Sequence, residues 1–290
     1  MSAVTAAGPV VWERSVWTER AEAHRTRADE LTRGRRERSA RGDTHPVDDF
    51  LFTYYSYRPA LLRRWHPGEH VVLADAPERF GWRGYRRVEA GVTVDGRAVR
   101  AERAALFANI ANLLARTATR PARFGCFGLH EWAMVYREPE HRHGVPLRLG
   151  QDGTDAVVEA HGLRCTHFDA YRFFTPEAVS RNAEELTRDR QSETEQPGCL
   201  HAGMDVYKWA VKLGPLVPGD LLLDTFTHAR QIRDLDMEAS PYDLPEWGYA
   251  PVRIETEEGK AEYVRRQRAL AERSQQLRGR LLAILTGDDV

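Results

Sequence analysis

Cysteine is scarce in this chain, with three residues among 290. These are Cys126, Cys165 and Cys199, and no two of them form a Cys-x-x-Cys pair. An odd number without close pairs does not build a disulfide framework or a cysteine-ligated zinc site. We therefore expect a reducing compartment and predict that the protein is cytoplasmic.

Long apolar runs are missing as well. No segment approaches the roughly 18 apolar residues that a membrane helix needs, and the N-terminal segment MSAVTAAGPVVWERS is too weakly apolar for a signal peptide. The chain also contains no P-loop, no G-x-G-x-x-G and no G-x-S-x-G pattern. These absences argue against a membrane partner, nucleotide-driven phosphoryl transfer and dinucleotide redox chemistry.

Lysine occurs only at Lys208, Lys212 and Lys260, so nearly all of the positive charge is arginine. Residues 1–150 carry 25 basic and 18 acidic side chains, whereas residues 151–290 carry 17 and 25. Arginine binds phosphates and carboxylates with two parallel hydrogen bonds, so the basic half is suited to face a polyanion. A genome that prefers arginine on protein surfaces explains the same composition.

Hydrophobic periodicity predicts an α+β fold that is mostly helical and has one small antiparallel sheet. Segments with helical spacing of apolar or paired charged residues are 17–39, 47–57, 101–118, 176–191, 197–215, 218–239 and 259–285. We expect residues 1–43 to form a charged helical extension and residues 44–290 to form a single domain of the catalytic type.

Strand signals are concentrated in the middle of the chain. Residues 145–174 alternate over several short runs and predict two or three antiparallel strands. In that interpretation His167, Asp169 and Tyr171 share one face of the sheet. Asp95-Gly96 predicts a hairpin turn, and residues 251–256 are strand-like.

Two neighbouring predicted helices each carry a histidine and an aspartate four residues apart, so each pair lies on one helix face. A short connection usually packs such helices antiparallel, which brings the two pairs to one seam. Two histidines and two carboxylates suit iron, manganese or zinc in a helical scaffold. The candidate metal ligands are the pair His201 and Asp205, the pair Asp224 and His228, and, as a fifth, His130 in the segment GLHEWAM.

The same spacing has a simpler interpretation. An aspartate and a histidine four residues apart on a helix also form a plain surface contact, worth about 0.2–0.5 kcal/mol. No H-E-x-x-H or Glu-x-x-His repeat is present that would select the metal site. Both interpretations stay open at the level of sequence.

A second constellation lies in the segment HPVDDFLFTYYSYRPALLRRWH, residues 45–66. It combines aromatic rings, arginines and a doubled aspartate, which are the groups that stack a nucleobase, hold phosphates and stabilise positive charge on a sugar. The candidate substrate-binding residues are Tyr54, Tyr55, Arg58, Arg63, Arg64 and Trp65. The alternative is an aromatic core helix with the aspartates at its positive end.

Several segments of the chain are distinctive. They are HPVDDFLFTYYSYRPALLRRWHPG, CFGLHEWAMVYR, CTHFDAYRFFTPEA, EQPGCLHAGMDVYKWAVKL, LDMEASPYDL and IETEEGKAEYVRRQRAL. Over about Thr44 to Leu270 the sequence thereby resembles an actinobacterial family usually labelled 3-methyladenine DNA glycosylase. The resemblance implies hydrolysis of the N-glycosidic bond of alkylated purines, with alkylated DNA as the partner.

Two functions are therefore carried forward, beside a non-catalytic binding protein as a third. In the first, a carboxylate at Asp49, Glu131 or Asp205 assists removal of an alkylated base. In the second, a metal-dependent enzyme with iron, manganese or zinc acts on a small molecule. The first requires DNA binding that weakens steeply with salt, and the second requires a bound transition metal.

Overall fold

A computed structural model describes residues 10–138 and 144–287 of the chain. Within these residues the protein is mostly helical and contains one four-stranded sheet. This architecture confirms the predicted α+β class. Residues 1–9 of the N-terminal segment lie outside the described residues.

The sheet consists of four short strands, which are β1 (Val10–Trp12), β2 (Val71–Leu73), β3 (Tyr85–Val88) and β4 (Gly91–Val94). Their order is β1-β2-β4-β3. Strand β4 is antiparallel to both neighbours, whereas β1 and β2 are parallel, with Val10 opposite Val71. The sheet is thus mixed, where the sequence predicted an antiparallel one.

Helices make up the rest of the regular structure. In chain order they are α1 (Arg14–Arg41), α2 (Phe50–Tyr54), α3 (Pro59–Leu62), α4 (Gly96–Glu102), α5 (Ala104–Thr119), α6 (Leu129–Ala133), α7 (Gly150–Ala160), α8 (Phe168–Tyr171), α9 (Pro176–Val179), α10 (Gln191–Thr194), α11 (Leu200–Leu213), α12 (Gly219–Glu238) and α13 (Glu257–Thr286). Single 3-10 turns occur at Pro77–Arg79, Gly214–Leu216 and Pro245–Trp247.

Helices α11, α12 and α13 pack against one another at the centre of the molecule. Helices α11 and α12 run antiparallel. His201 near the start of α11 lies beside Asp236 near the end of α12, and further along Tyr207 packs on Phe226. The sequence predicted this neighbouring arrangement from the short connection between the two helices. Most of the residues of α11 are buried, so its polar side chains must find partners inside the protein.

Gly203 allows α11 and α13 to approach closely. A Cβ atom at position 203 would lie 2.5 Å from Ser274 Oγ of α13 and 2.9 Å from Ile232 Cδ1 of α12. Those distances are shorter than van der Waals contact, so a larger residue would push the helices apart. The glycine in LHAGMDVY is therefore a packing residue.

Helix α1 is packed into the structure along part of its length. It contacts α3 and α12, and its Ala28 is fully buried in the main core. Near its start, Trp17 is buried with Trp65 and Leu73 in a smaller cluster beneath the sheet. The predicted charged helix is present, and one face of it covers the domain.

The strands predicted for residues 145–174 are wrong. This region forms helices α7 and α8, and His167 precedes the first turn of α8. Thr154, Val157 and Val158 are the buried residues of α7, and their spacing of three and four residues is helical. The alternation of apolar and polar residues that suggested strands is confined to the loop between α7 and α8.

Three further local predictions also need correction. Asp95 starts helix α4, where its side chain accepts a hydrogen bond from the Ala98 N–H, and the hairpin turn falls instead at 89–90. The predicted helix 176–191 stops at Val179 and only the single-turn helix α10 follows, while 47–57 is helical over α2 alone. The strand-like residues 251–256 form no strand.

The predicted helices 101–118 and 259–285 are confirmed. Helix α5 buries Phe107, Ile110, Leu113 and Leu114 on one stripe. Helix α13 extends the predicted 259–285 by a few residues, because the Thr256 side chain caps its first turn. Among the described residues, no helix is both long and apolar enough to cross a bilayer.

Phe226 offers a test of the central packing. It is fully buried and its ring packs on Tyr207 and Phe52. We expect Phe226→Ala to lower the free energy of unfolding in urea by about 3–5 kcal/mol, because the lost contacts leave a cavity. The matched control is Phe80→Ala, since Phe80 is 41% exposed and should cost less than about 1 kcal/mol. Equal effects at the two positions would contradict this description of the core.

Candidate functional site

A cavity of about 320 Å³ opens between α2, α6, α8, α11 and α12. Its aromatic walls are Phe50, Tyr54, Phe173 and Tyr242, and its polar wall is formed by Glu131, Asp169, His201 and Arg233. Cavities of this kind, mostly apolar with a few convergent polar groups, are the usual form of small-molecule sites.

Helix α6 carries two buried polar side chains, of which Glu131 lines this cavity. Gly128 adopts a left-handed conformation with φ of 73° and begins the single helical turn LHEWA, all of which is buried. The indole N–H of Trp132 donates to the Ala239 carbonyl at 2.8 Å and ties α6 to the end of α12. His130 and Glu131 are thereby held against α11 and α12.

Four buried side chains from three helices converge beside the cavity, and we name them the first cluster. They are His130 and Glu131 of α6, His201 of α11 and Asp236 of α12. Each offers one nitrogen or oxygen atom, and these atoms all lie within 4.8 Å of one another. None of the four residues is more than 5% exposed. Their chemistry is that of two imidazoles and two carboxylates.

Arg233 and His130 neutralise the carboxylates of the first cluster. Arg233 Nη1 donates to Glu131 Oε1 at 2.8 Å and to Asp236 Oδ2 at 3.1 Å. His130 donates from Nε2 to Asp236 Oδ1 at 2.8 Å. The ring of His201 stands edge-on to that of His130, with centroids 4.4 Å apart.

The two histidines of the first cluster are driven to opposite protonation states. Burial disfavours the charged form of His130, but the adjacent Asp236 outweighs burial and raises the pKa of His130 well above its usual value. Burial, together with the charge of His130, lowers the pKa of His201 well below its usual value. His201 is therefore neutral at pH 7, which is the form that binds metals.

A second cluster adjoins the first and consists of His167, Glu195 and Asp205. His167 Nε2 lies 3.3 Å from Glu195 Oε1 and 3.4 Å from Asp205 Oδ2. The His167 and His201 rings have centroids 5.4 Å apart, so His201 of the first cluster lies next to the second cluster.

Asp205 is the most fully satisfied member of the second cluster. It accepts from the Tyr55 hydroxyl at 2.7 Å and from Lys208 Nζ at 2.9 Å. Lys208 also donates to Asp169 at 3.1 Å and so connects this cluster to the cavity wall. Burial alone would raise the pKa of Asp205, but Lys208 and His167 outweigh it and hold that pKa far below its usual value.

The structure brings together about half of the residues singled out from the sequence. Glu131, His201 and Tyr54 line the cavity, and His130 belongs to the first cluster. Asp205 and Tyr55 lie behind the cavity wall and bind each other.

Asp224 and His228 do not join this site, although α12 does lie beside α11. Asp224 forms ion pairs with Arg27 at 2.9 Å and Arg273 at 3.3 Å on the outer side of α12. His228 shares a hydrogen bond with Ser274 of α13. The predicted four-ligand seam is wrong in this part, because the residue of α12 that faces His201 is Asp236 at the other end of the helix.

The predicted base-binding segment is dispersed rather than gathered at the cavity. Arg58 is exposed, Arg63 pairs with Asp29, and Arg64 stacks over Trp82 at a separate cavity. Trp65 is buried with the cluster beneath the sheet. These four residues do not face the aromatic cavity.

Asp49 is part of a separate buried ion pair. It accepts from Arg38 at 2.6 Å, from Arg35 at 2.7 Å and from the His45 N–H at 3.0 Å. Burial opposes the charge, but these donors outweigh it and lower the pKa of Asp49 below its usual value. Its role in this structure is to tie α1 to the start of α2.

The sequence patterns did not single out Glu195 and Asp236 of the two clusters, nor Arg233 beside the first. Arg233 and Asp236 are three residues apart on α12, a spacing that signals a same-face pair, but neighbouring charges in RQIRDLDME masked it. His167 was assigned to a strand. Glu195 follows the single-turn helix α10, and no local pattern marks it.

Comparison with family models, with curated proteins and with solved structures finds no match for this chain.

Asp49 supplies a test by pH. Because its pKa is lower in the folded than in the unfolded protein, its charge stabilises the fold above the unfolded pKa of about 4 and loses that effect as pH falls through the folded pKa. We expect Asp49→Asn to lower the free energy of unfolding by about 2 kcal/mol at pH 7. The difference from wild type should shrink below pH 4 in urea titrations. A difference that stays constant down to pH 2.5 would contradict the ion-pair account.

Proposed function

We propose that the protein is a metal-dependent enzyme that acts on a small molecule in the aromatic cavity. The observation that carries the proposal is the first cluster, in which two imidazoles and two carboxylates converge within 4.8 Å at the cavity. Imidazole and carboxylate ligands together suit iron, manganese and zinc. This ligand set shares His130 and His201 with the set predicted from sequence, and Glu131 and Asp236 take the place of the other predicted ligands.

The surroundings of the first cluster support a metal site. His201 is neutral and buried, and it lines the cavity from which a substrate would approach. Asp236 accepts the Nε2 proton of His130 in this structure, and the metal would take the place of that proton, because metal ligands bind in their deprotonated form. Without that proton, Glu131 and Asp236 would carry two negative charges, and Arg233 would balance one of them.

Each residue has a defined part in this proposal. His130, His201, Glu131 and Asp236 would hold the metal, and the metal would supply a Lewis acid that polarises a substrate oxygen or activates water. Tyr54, Phe50 and their neighbours would enclose the apolar part of the substrate and exclude water. Burial raises the pKa of Tyr54 to about 12, so its hydroxyl stays protonated and can donate to an oxygen of the substrate.

Base excision from alkylated DNA is the second candidate function. The specific observation in its favour is that Phe50 and Tyr54 stack with centroids 5.0 Å apart at a cavity that also presents the carboxylate of Glu131. Such walls suit a planar, positively charged base. The arginines expected to hold phosphates, Arg63 and Arg64, lie elsewhere, and the geometry therefore gives more support to the metal-dependent enzyme.

Elemental analysis tests the first candidate. We expect inductively coupled plasma mass spectrometry of the purified wild-type protein to find at least about one ion of iron, manganese or zinc per chain. His201→Ala and Asp236→Asn should each lower this content by about one ion per chain, because each removes a ligand of the first cluster. Asp224→Asn is the matched control, since Asp224 lies outside both clusters, and it should keep the wild-type content. Absence of metal from wild type, also after incubation with each ion, would refute the proposal.

An assay on alkylated DNA tests the second candidate. Base excision requires release of methylated purines from alkylated duplex DNA, together with DNA binding that weakens steeply between 50 and 200 mM salt. Under this function Glu131→Gln should reduce base release by about 10² or more, and Asp49→Asn should not. If wild type neither binds DNA at low salt nor releases bases, this candidate function is excluded.

A further inference from the structure

The second cluster is a separate set of buried polar groups that the proposed first metal site does not use. Its three members come from three places in the chain: His167 before α8, Glu195 after α10 and Asp205 within α11. One nitrogen or oxygen from each lies within 4.8 Å of the others. Their side chains are no more than 3% exposed. Water therefore does not solvate these charges.

His167 is the unusual member of this cluster. It is 1% exposed, and within residues 10–138 and 144–287 neither of its ring nitrogens has a hydrogen-bond partner of acceptable geometry. Buried polar atoms in folded proteins nearly always have such a partner, because an unsatisfied one costs about 1–3 kcal/mol. The Nε2 atom nevertheless points between two carboxylate oxygens, at 3.3 and 3.4 Å.

Positive charge is unevenly distributed around the cluster. Lys208 pairs with Asp205, and its other partner, Asp169, also pairs with Arg188. Glu195 forms no ion pair with lysine or arginine among the described residues. The side-chain partner of Glu195 apart from His167 is the uncharged amide of Gln191, at 2.5 Å. A further cation between His167, Glu195 and Asp205 would neutralise the carboxylate of Glu195, which has no lysine or arginine partner, and would bind the Nε2 atom of His167.

The backbone that carries Glu195 is held firmly in position. Arg120 donates to the Glu195 carbonyl at 2.7 Å and to the Ser192 carbonyl at 2.6 Å. Gln196 accepts at 2.8 Å from the Gly198 N–H and also binds the backbone of Arg123. A site of this kind is preorganised, because its ligands are fixed by other contacts before the ion binds.

We propose that His167, Glu195 and Asp205 hold a second divalent transition-metal ion beside the one at the first cluster. One imidazole and two carboxylates form a ligand set that suits iron(II), manganese and zinc. His201, whose ring faces those of His130 and His167, lies between the two sites. This inference rests on the proposed function, and it makes the proposed metal site a centre of two neighbouring ions.

Counting bound ions distinguishes the two proposals. The metal-free protein, prepared with a chelator, is dialysed to equilibrium against Mn²⁺ and the bound manganese is measured. We expect two ions per chain in wild type and one in Glu195→Gln, which keeps the shape of the side chain. His167→Ala should also bind one, and circular dichroism of each variant verifies that it is folded. Asp224→Asn is the control and should bind two.

The other outcomes each identify which proposal fails. One ion per chain in both wild type and Glu195→Gln would overturn the second site and leave the proposed function standing. Two ions in Glu195→Gln would place the second ion elsewhere and would also overturn this inference. No bound manganese in wild type, and none with Fe²⁺ or Zn²⁺ in its place, would refute both the second site and the proposed function.

Discussion

Arg233 reaches from α12 to Glu131 on α6, and both charges lie inside the helical core. Removing such charges from water costs several kilocalories per mole for each ion, unless a partner of opposite charge and further hydrogen bonds compensate. Asp236, one turn along α12, and His130, next to Glu131, complete that compensation. These ion pairs fix the position of α6 against α11 and α12. The shape of the cavity depends on that position.

The same constraint connects structure to the proposed chemistry. A protein that needed only stability would fill this region with apolar side chains, since replacing a buried ion pair by well-packed apolar residues is often neutral or stabilising. Here seven titratable residues of two clusters, flanked by Arg233 and Lys208, occupy the interior beside a cavity with aromatic walls. Under the proposed function their arrangement is retained because it binds metal and substrate.

Sequence patterns predicted the fold class and the long helices, because α5, α11, α12 and α13 each carry a continuous apolar stripe. They failed for α7 and α8, where short runs of alternating residues resemble strands. His130 and His201 were identified because histidine is unusual in an apolar segment. Asp236 and Glu195 were not, since their significance arises only when the packing of α12 and the loop after α10 brings them to those histidines. The spacing of residues along one helix does not specify which part of that helix contacts the neighbouring helix.

Anomalous X-ray diffraction from crystals grown with Mn²⁺ would locate the ion relative to named atoms. We expect an anomalous peak within about 2.0–2.3 Å of ligand atoms from the first cluster, with His130 and His201 among them. No anomalous peak at the first cluster, with Arg233 and His130 neutralising Glu131 and Asp236, would refute the proposed metal site. In that case the buried charges would serve only to hold α6, α11 and α12 together.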